Sequence, residues 1–475
     1  MRDNDLIAYK QYQLSLKESF REGNVHSDVI ARLIRSTGDR KIIVYPALLT
    51  WDTPVFNRPH QLLREFSRRG HLVFFLTPDP KADRAEPIRQ AIPNLYLIND
   101  IGMLYCLRNE PVTLWVTWTP TAVCKELFCN ATVVYDWLDE LDVFGYYSEF
   151  MEIDHQKLLY EADYVFASSD SLLEKAKVVR QDAVLVPNGV CIEDFECSDH
   201  TVPEDMEAIL AEGKPVIGFY GLLDDWRMDY DLVNHICKGC RDFNFVFIGP
   251  SYDGSVKRIN KSENFFYLGP KDYGILKYYL RCFDAAIIPY KLTRLTESVF
   301  PMKLCEYMAA GKPVVTTDMR ECRKFKSVFV SGDYEEFVQN MRKAITLKDN
   351  DDGDYRDVLY KEAHANTWKA RVDVVINTLD RKKGSVNMPL DKQAAVLREE
   401  LGAYEKLLTD CLEGFSFYEG ELRKITSDLK GVESRLDAVL FSKTWRLGQF
   451  YGRMAGPESP IRRALNHPVL KRFMR

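Results

Sequence analysis

Residues 285–317 run Ala285-Ala286-Ile287-Ile288-Pro289, a polar stretch from Tyr290 to Phe300, Pro301-Met302-Lys303-Leu304-Cys305-Glu306-Tyr307-Met308-Ala309-Ala310, Gly311-Lys312-Pro313 and Val314-Val315-Thr316-Thr317. The apolar and β-branched runs at the two ends read as strands, with a loop and a helix between them, which makes a βαβ unit. Pro301 suits a first helical position, Gly311 a left-handed stop, and Pro313 bars continuation. Lys303 and Glu306, three apart, share one face, while Met302, Leu304, Cys305 and Met308 are free to pack.

In an open parallel sheet the loops leaving the carboxyl ends of strands line the ligand crevice, so the loop beginning at Tyr290 and the helix N-terminus should meet there. Such an N-terminus attracts phosphate. A cation beside it and a carboxylate one turn on suit a diphosphate joined to ribose, with the carboxylate accepting from both ribose hydroxyls. The same spacing would also serve an exposed helix carrying an i,i+3 ion pair.

The segment Pro301 to Val315 resembles the donor-nucleotide signature of GT-B glycosyltransferases, in particular the retaining group called family four. The resemblance implies an α/β, GT-B fold: two Rossmann-like domains facing across a cleft, with the donor nucleotide on the C-terminal one. In that family the glutamate matching Glu306 binds the ribose. A second glutamate usually stands eight residues earlier against the donor sugar; here Ser298 holds that position and Glu297 is beside it.

At 475 residues the chain is long enough for two ordinary domains and extensions, with the apolar and charged fractions of a globular protein. A net charge of −6 argues against a general nucleic-acid surface. The eleven cysteines form no regular framework. Neither a signal peptide nor a bilayer-length apolar run is visible, and the expectation is a reducing cytoplasm. Cys237-Lys238-Gly239-Cys240 lacks the second pair a zinc site requires, and helix-end thiols are preferred.

Residues 1–40 read as an N-terminal helical extension, with helices near Leu6 to Phe20 and from a Ser27 cap to Gly38. Lys41 to Tyr45 is a first strand, and Leu62, Leu63 and Phe66 mark a helix that ends at Gly70 before the strand Leu72 to Leu76. The intervening Trp51 to Gln61 resembles the acceptor-side loop of bacterial glycosyltransferases, which implies acceptor contacts from Asn57, Arg58 and His60. A first-turn histidine also serves as a cap or faces solvent. Strands at Thr113 to Val116 and Thr132 to Tyr135 follow, the second feeding Asp136-Trp137-Leu138-Asp139-Glu140-Leu141-Asp142. Many family members have a histidine here that touches the reacting sugar; this chain offers Asp136 and Asp139. Acids at a helix N-terminus for dipole reasons are the alternative. The Ala162 to Ser169 strand and the Pro187-Asn188-Gly189-Val190 turn look like landmarks that close the N-terminal domain.

Pro215 to Tyr220 opens the second domain, and Gly221-Leu222-Leu223 follows, where a glycine lets a diphosphate approach backbone N–H groups. The absence of GxGxxG weighs against a dinucleotide enzyme. The family usually places an arginine and a lysine after this loop; Arg227 is the cation here, flanked by Asp224, Asp225 and Asp229. Strands ending at Gly249-Pro250 and Gly269-Pro270 come next, and the analogy puts the nucleotide base near Gly269. Asp229-Tyr230-Asp231 is formally a DxD metal signature but enters a helix, and Asp349 to Asp354 lacks the glycine of a calcium loop.

From Leu390 an apolar residue recurs every seven positions to Val439, interleaved with a second series from Ala394 to Leu436, the a/d pattern of a coiled coil. Self-association is the favoured expectation; Gly414 and Gly420 leave a folded-back hairpin open. Past Phe441 the chain turns basic and aromatic, which suits contact with an anionic membrane surface, a solvated end or an acidic partner.

The expected organisation is thus a helical extension (1–40), an acceptor domain (41–190), a donor domain (191–365), a crossover helix (366–385), a coiled coil (386–440) and a basic aromatic tail (441–475). By resemblance, a retaining, metal-independent glycosyltransferase moves sugar from a nucleoside diphosphate sugar of UDP or GDP type to a glycan or lipid-linked hydroxyl, with no cofactor. Bacterial surface-polysaccharide assembly, at the cytoplasmic or inner-membrane face, is the expected setting. Candidate catalytic residues are Asp136, Asp139, Lys303 and Glu306. The donor set is Gly221, Leu222, Arg227, Gly269, Tyr290, Glu297, Ser298, Lys303, Leu304 and Glu306. An epimerase or phosphorylase on the same fold, and an inactive scaffold, are the rivals.

Overall fold

The structure, a computed structural model, describes residues 3–141, 149–196, 201–349, 353–381, 388–413 and 419–443. The basic aromatic stretch from 444 onward and the heptad positions Phe415 and Tyr418 lie outside the described residues.

Two sheets carry the fold. The first holds β1 (Ile42–Pro46), β2 (Leu72–Leu76), β3 (Ile88–Ile92), β4 (Leu95–Ile98), β5 (Val112–Val116), β6 (Ala131–Trp137), β7 (Tyr164–Ala167) and β8 (Val184–Leu185). Their order is β3-β4-β2-β1-β5-β6-β7-β8. All pairs are parallel except β3 with β4. The second sheet, wholly parallel, holds β9 (Val216–Tyr220), β10 (Asn244–Ile248), β11 (Phe265–Tyr267), β12 (Ala285–Ile288), β13 (Val314–Thr317) and β14 (Val328–Ser331) in the order β11-β10-β9-β12-β13-β14. Central strands such as β1, β2, β9 and β10 are buried along their whole length, as unbroken apolar runs covered by helices on both faces must be. Strand order reverses between β1 and β5 and between β9 and β12, so each half offers a crevice at those carboxyl ends.

The βαβ unit read from residues 285–317 is present as β12, a helix over Met302–Ala309 and β13. Pro301 is the N-cap and Gly311 closes the helix at φ 70°. The polar stretch is not a bare loop: Arg294–Ser298 forms a short helix because Thr293 and Thr296 cap one another reciprocally. Asp229 caps the helix Tyr230–Gly239 by accepting from Leu232 N at 2.9 Å.

The halves are joined at two crossing segments. Val190 N donates to the Asn366 carbonyl at 2.9 Å and Trp368 N to the Val190 carbonyl at 3.0 Å. The helix Trp368–Leu379 then packs Trp368, Val372 and Val375 into the core beneath the first sheet. Arg69 pairs with Asp373 at 2.6 Å on its flank.

Many of the described heptad positions pack within the chain. Helices Leu390–Glu413 and Glu419–Lys443 pack on each other and on the helices Asp3–Glu22 and Glu149–Glu161. Leu397, Leu401, Tyr404, Leu408, Ile425, Leu429, Val432 and Leu436 are buried there with Phe150 and Met151. The described heptad positions thus find apolar partners within the chain, the folded-back arrangement that Gly414 and Gly420 leave open. Lys10 is locked in the joint, its Nζ 4.1 Å from the Phe150 ring centre and 4.8 Å from that of Tyr404. No helix among the described residues is long and apolar enough to cross a membrane.

Candidate active site

The carboxyl ends of β1, β5 and β6 face those of β9 and β12 across a cleft of about 420 Å³, lined from both domains. On the second-domain side, β9 ends at Tyr220 and the chain turns at Gly221, φ 135°. A Cβ on Gly221 would sit 2.5 Å from Lys303 Nζ, and one on Gly249, φ 136°, would sit 1.9 Å from the Gly221 carbonyl oxygen. Backbone, not side chain, therefore forms this part of the wall.

Lys303 lies in the first turn of the helix Met302–Ala309 and is buried. Its Nζ donates to the Tyr290 hydroxyl and stands 4.4 Å from the Phe219 ring centre. Held by a hydroxyl and ring faces, the ammonium keeps donor capacity for a ligand. Glu306, one turn on, is 3% exposed and accepts from the Tyr220 hydroxyl. Burial pushes its carboxyl up to about 7, while the Tyr220 bond and the Lys303 charge pull the other way. No surface ion pair links Lys303 and Glu306: both are interior and both line the cleft. Arg227 reaches the same cavity on a short leash, its Nε and Nη2 donating to Asp224 Oδ2 at 2.9 and 2.6 Å.

The first-domain side is built differently. Asp139, just past β6, opens on the cavity, and loss of solvent pushes its carboxyl above the ordinary range against the pull of Arg227 and Arg58. Arg58 forks onto Asp136 at 3.0 and 2.7 Å and donates to the Val186 carbonyl at 2.6 Å. His60 caps its own helix reciprocally with Asn57, and its Nε2 meets the Thr50 carbonyl at 2.8 Å, with burial lowering the ring to about 4. Thr117 bonds Tyr45, Ser168 donates to the Leu138 carbonyl and Asn188 donates to the Phe300 carbonyl. The polar side chains of this wall are thus largely satisfied by the protein itself, and Leu48, Leu49, Val55 and Trp118 fill the rest. Trp118 and Leu141 also pack against the core of the C-terminal hairpin, which makes that hairpin the backing of the cleft.

The cleft gathers Asn57, Arg58, His60, Asp139, Gly221, Leu222, Arg227, Tyr290, Lys303 and Glu306 from the candidate residues. It does not gather the others. Asp136 is fully buried, accepting from Arg58 and from the Trp115 indole at 3.2 Å, so it shapes Arg58 and leaves the cavity to Asp139. Ser298 turns inward, its Oγ donating to the Leu295 carbonyl at 2.8 Å, because the 294–298 segment coils into a helix. Glu297 is on that helix's exposed side, and Leu304 belongs to the second-domain core. Gly269 stays behind the wall, its carbonyl accepting from Gly249 N at 2.8 Å. Tyr220 escaped sequence reasoning; its signal was its place as the last residue of the central strand, directly before a glycine.

Residues 214–346 match the family described as Glycosyl transferases group 1. A relative in Bacillus subtilis strain 168, TuaH, named for teichuronic acid biosynthesis as a glycosyltransferase, is 27% identical over 285 residues, covering 55% of this chain and 70% of its own. Among solved structures, HepE of Anabaena in complex with UDP aligns at a TM-score of 0.56 with 14% identity, over 72% of this chain and 99% of its own. Sucrose-phosphate synthase of Thermosynechococcus elongatus aligns at 0.53 with 15% identity, over 72% and 99%. With two largely parallel sheets facing across a cleft, the chain carries a GT-B fold, and the half that holds Lys303 and Glu306 is similar to the group 1 glycosyltransferases.

Proposed function

We propose that this chain transfers a sugar from a nucleoside diphosphate sugar to a hydroxyl acceptor of a surface glycan, with retention of configuration and without a metal ion. The observation that carries the reading is the placement of Glu306 and Lys303, buried one turn apart and both facing the cleft between domains. As an ionised carboxylate, Glu306 accepts from both ribose hydroxyls. Lys303, Arg227 and the first N–H groups of the helix at Met302 lie where negative charge grows on the departing diphosphate, the task a divalent ion performs elsewhere. Bond breaking leaves the electron pair on the diphosphate oxygen; the acceptor hydroxyl attacks from the same face and passes its proton to that oxygen, so no side chain need act as nucleophile. Asp139 positions the incoming hydroxyl from the opposite wall.

HepE, solved with UDP, makes UDP the first probe, with GDP the second. Titration of each nucleotide by calorimetry tests the donor side. Binding that survives Glu306→Ala would overturn the assignment, and binding of neither nucleotide would favour the inactive scaffold, a reading supported by Ser298 turning away from the cleft. Release of free nucleoside diphosphate dependent on an acceptor separates a transferase from an epimerase. Failure of sugar phosphates as donors excludes a phosphorylase.

A further inference from the structure

The two walls of the cleft differ in kind. The donor wall offers cations, a carboxylate and open backbone, whereas the polar side chains of the opposite wall are bonded to one another or to carbonyls. Among the described residues, what that wall leaves for a ligand is chiefly the carboxylate of Asp139 and apolar side chains. Leu48 and Leu49, shortly after β1, are 41% and 43% exposed although they border the cavity, and the half-buried Val55 and Trp118 line the same cavity. A polyhydroxylated acceptor seated here would surrender its water to side chains that have little hydrogen-bonding capacity left, which is costly. An apolar moiety would instead cover Leu48 and Leu49, while one hydroxyl reached Asp139.

We infer that the acceptor is amphiphilic, with an apolar aglycone lying along Leu48, Leu49 and Trp118 and its reacting hydroxyl beside Asp139. This rests on the glycosyltransferase reading of the same cleft. Alkyl or prenyl chains and aromatic aglycones share the required chemistry, and the probes below distinguish them.

The full chain is titrated by calorimetry with methyl, octyl and phenyl β-glucoside, the octyl compound below its micellar concentration, with and without UDP. The expected result is at least tenfold tighter binding of the octyl or the phenyl compound than of the methyl one. The tighter of the two identifies a chain or a ring as the natural aglycone. In Leu48→Ser/Leu49→Ser, two exposed positions whose change leaves the core intact, that preference should fall to within about twofold while UDP affinity holds. Equal binding of all three glucosides by the unaltered chain would overturn the inference, as would a preference that persists in the double variant. The donor assignment fails on a different reading, loss of UDP binding, and the glucoside comparison made without UDP stands apart from it.

Discussion

The hydroxyl of Tyr220, at the end of the central strand β9, donates to the carboxylate of Glu306, one turn into the helix that leads to β13. Two elements far apart in sequence thus hold one acceptor group at the wall of the cleft. Because burial raises that carboxyl to about 7, it carries a proton in the folded chain at pH values where an unfolded glutamate has lost it. Its contribution to stability is therefore full below the ordinary carboxylate range and is lost as pH rises toward 7. If Glu306 holds the ribose as proposed, donor binding runs the opposite way, since only the ionised form accepts from two hydroxyls. UDP affinity should rise between pH 6 and 8, and Glu306→Gln should flatten the profile while lowering affinity at pH 8 by about tenfold. Calorimetric titration across that range decides; a profile unchanged in the variant would remove Glu306 from the nucleotide site.

Asp136 and Asp139 separate by experiment as they do by geometry. Asp136→Ala strands the buried Arg58 guanidinium and should cost about 3–5 kcal/mol of stability, visible as a large drop in melting temperature. Asp139→Asn removes a half-buried carboxylate that makes no hydrogen bond to another described residue, so melting should hold while turnover falls about a hundredfold. Equal melting of both variants would mean the Arg58 fork does not bear on the fold.

The legible parts of this chain are those with local causes. Pro301 and Gly311 bound a helix through their own backbone preferences, and β12 and β13 announce themselves as β-branched and apolar runs. Ser298 turns inward on a short helix set by Thr293 and Thr296 capping each other, a contact between side chains that no apolar period encodes. The choice between Asp136 and Asp139 turned on Arg58, 78 residues from Asp136, and strand alternation alone gives no warning of such a partner. The hairpin strands β3 and β4 went unread for a similar reason: β3 is only partly buried and its pairing is antiparallel at a sheet edge, so its pattern is faint.

Gly221 tests the donor wall without touching a charge. At φ 135° an alanine is strained, and its Cβ would stand 2.5 Å from Lys303 Nζ, so the lysine must leave the Tyr290 hydroxyl. Gly221→Ala should weaken UDP binding about tenfold or more with little change in the far-ultraviolet dichroism. Affinity equal to that of the unaltered chain would show that Lys303 is not held for the diphosphate.

The C-terminal hairpin bears on the question of self-association. Leu408 and Leu429 are buried between its helices and the helix Glu149–Glu161, and Trp118 and Leu141 carry the same cluster to the cleft. If the apolar seam is consumed inside one chain, Leu408→Asp/Leu429→Asp should lower the melting temperature by about 5 °C or more and leave the sedimentation mass unchanged. If the seam joins two chains, the same variant should halve the mass. Because Trp118 stands on this cluster, the variant should also weaken binding at the first-domain wall, while UDP affinity, which the proposal assigns to the second domain, should stay as it was.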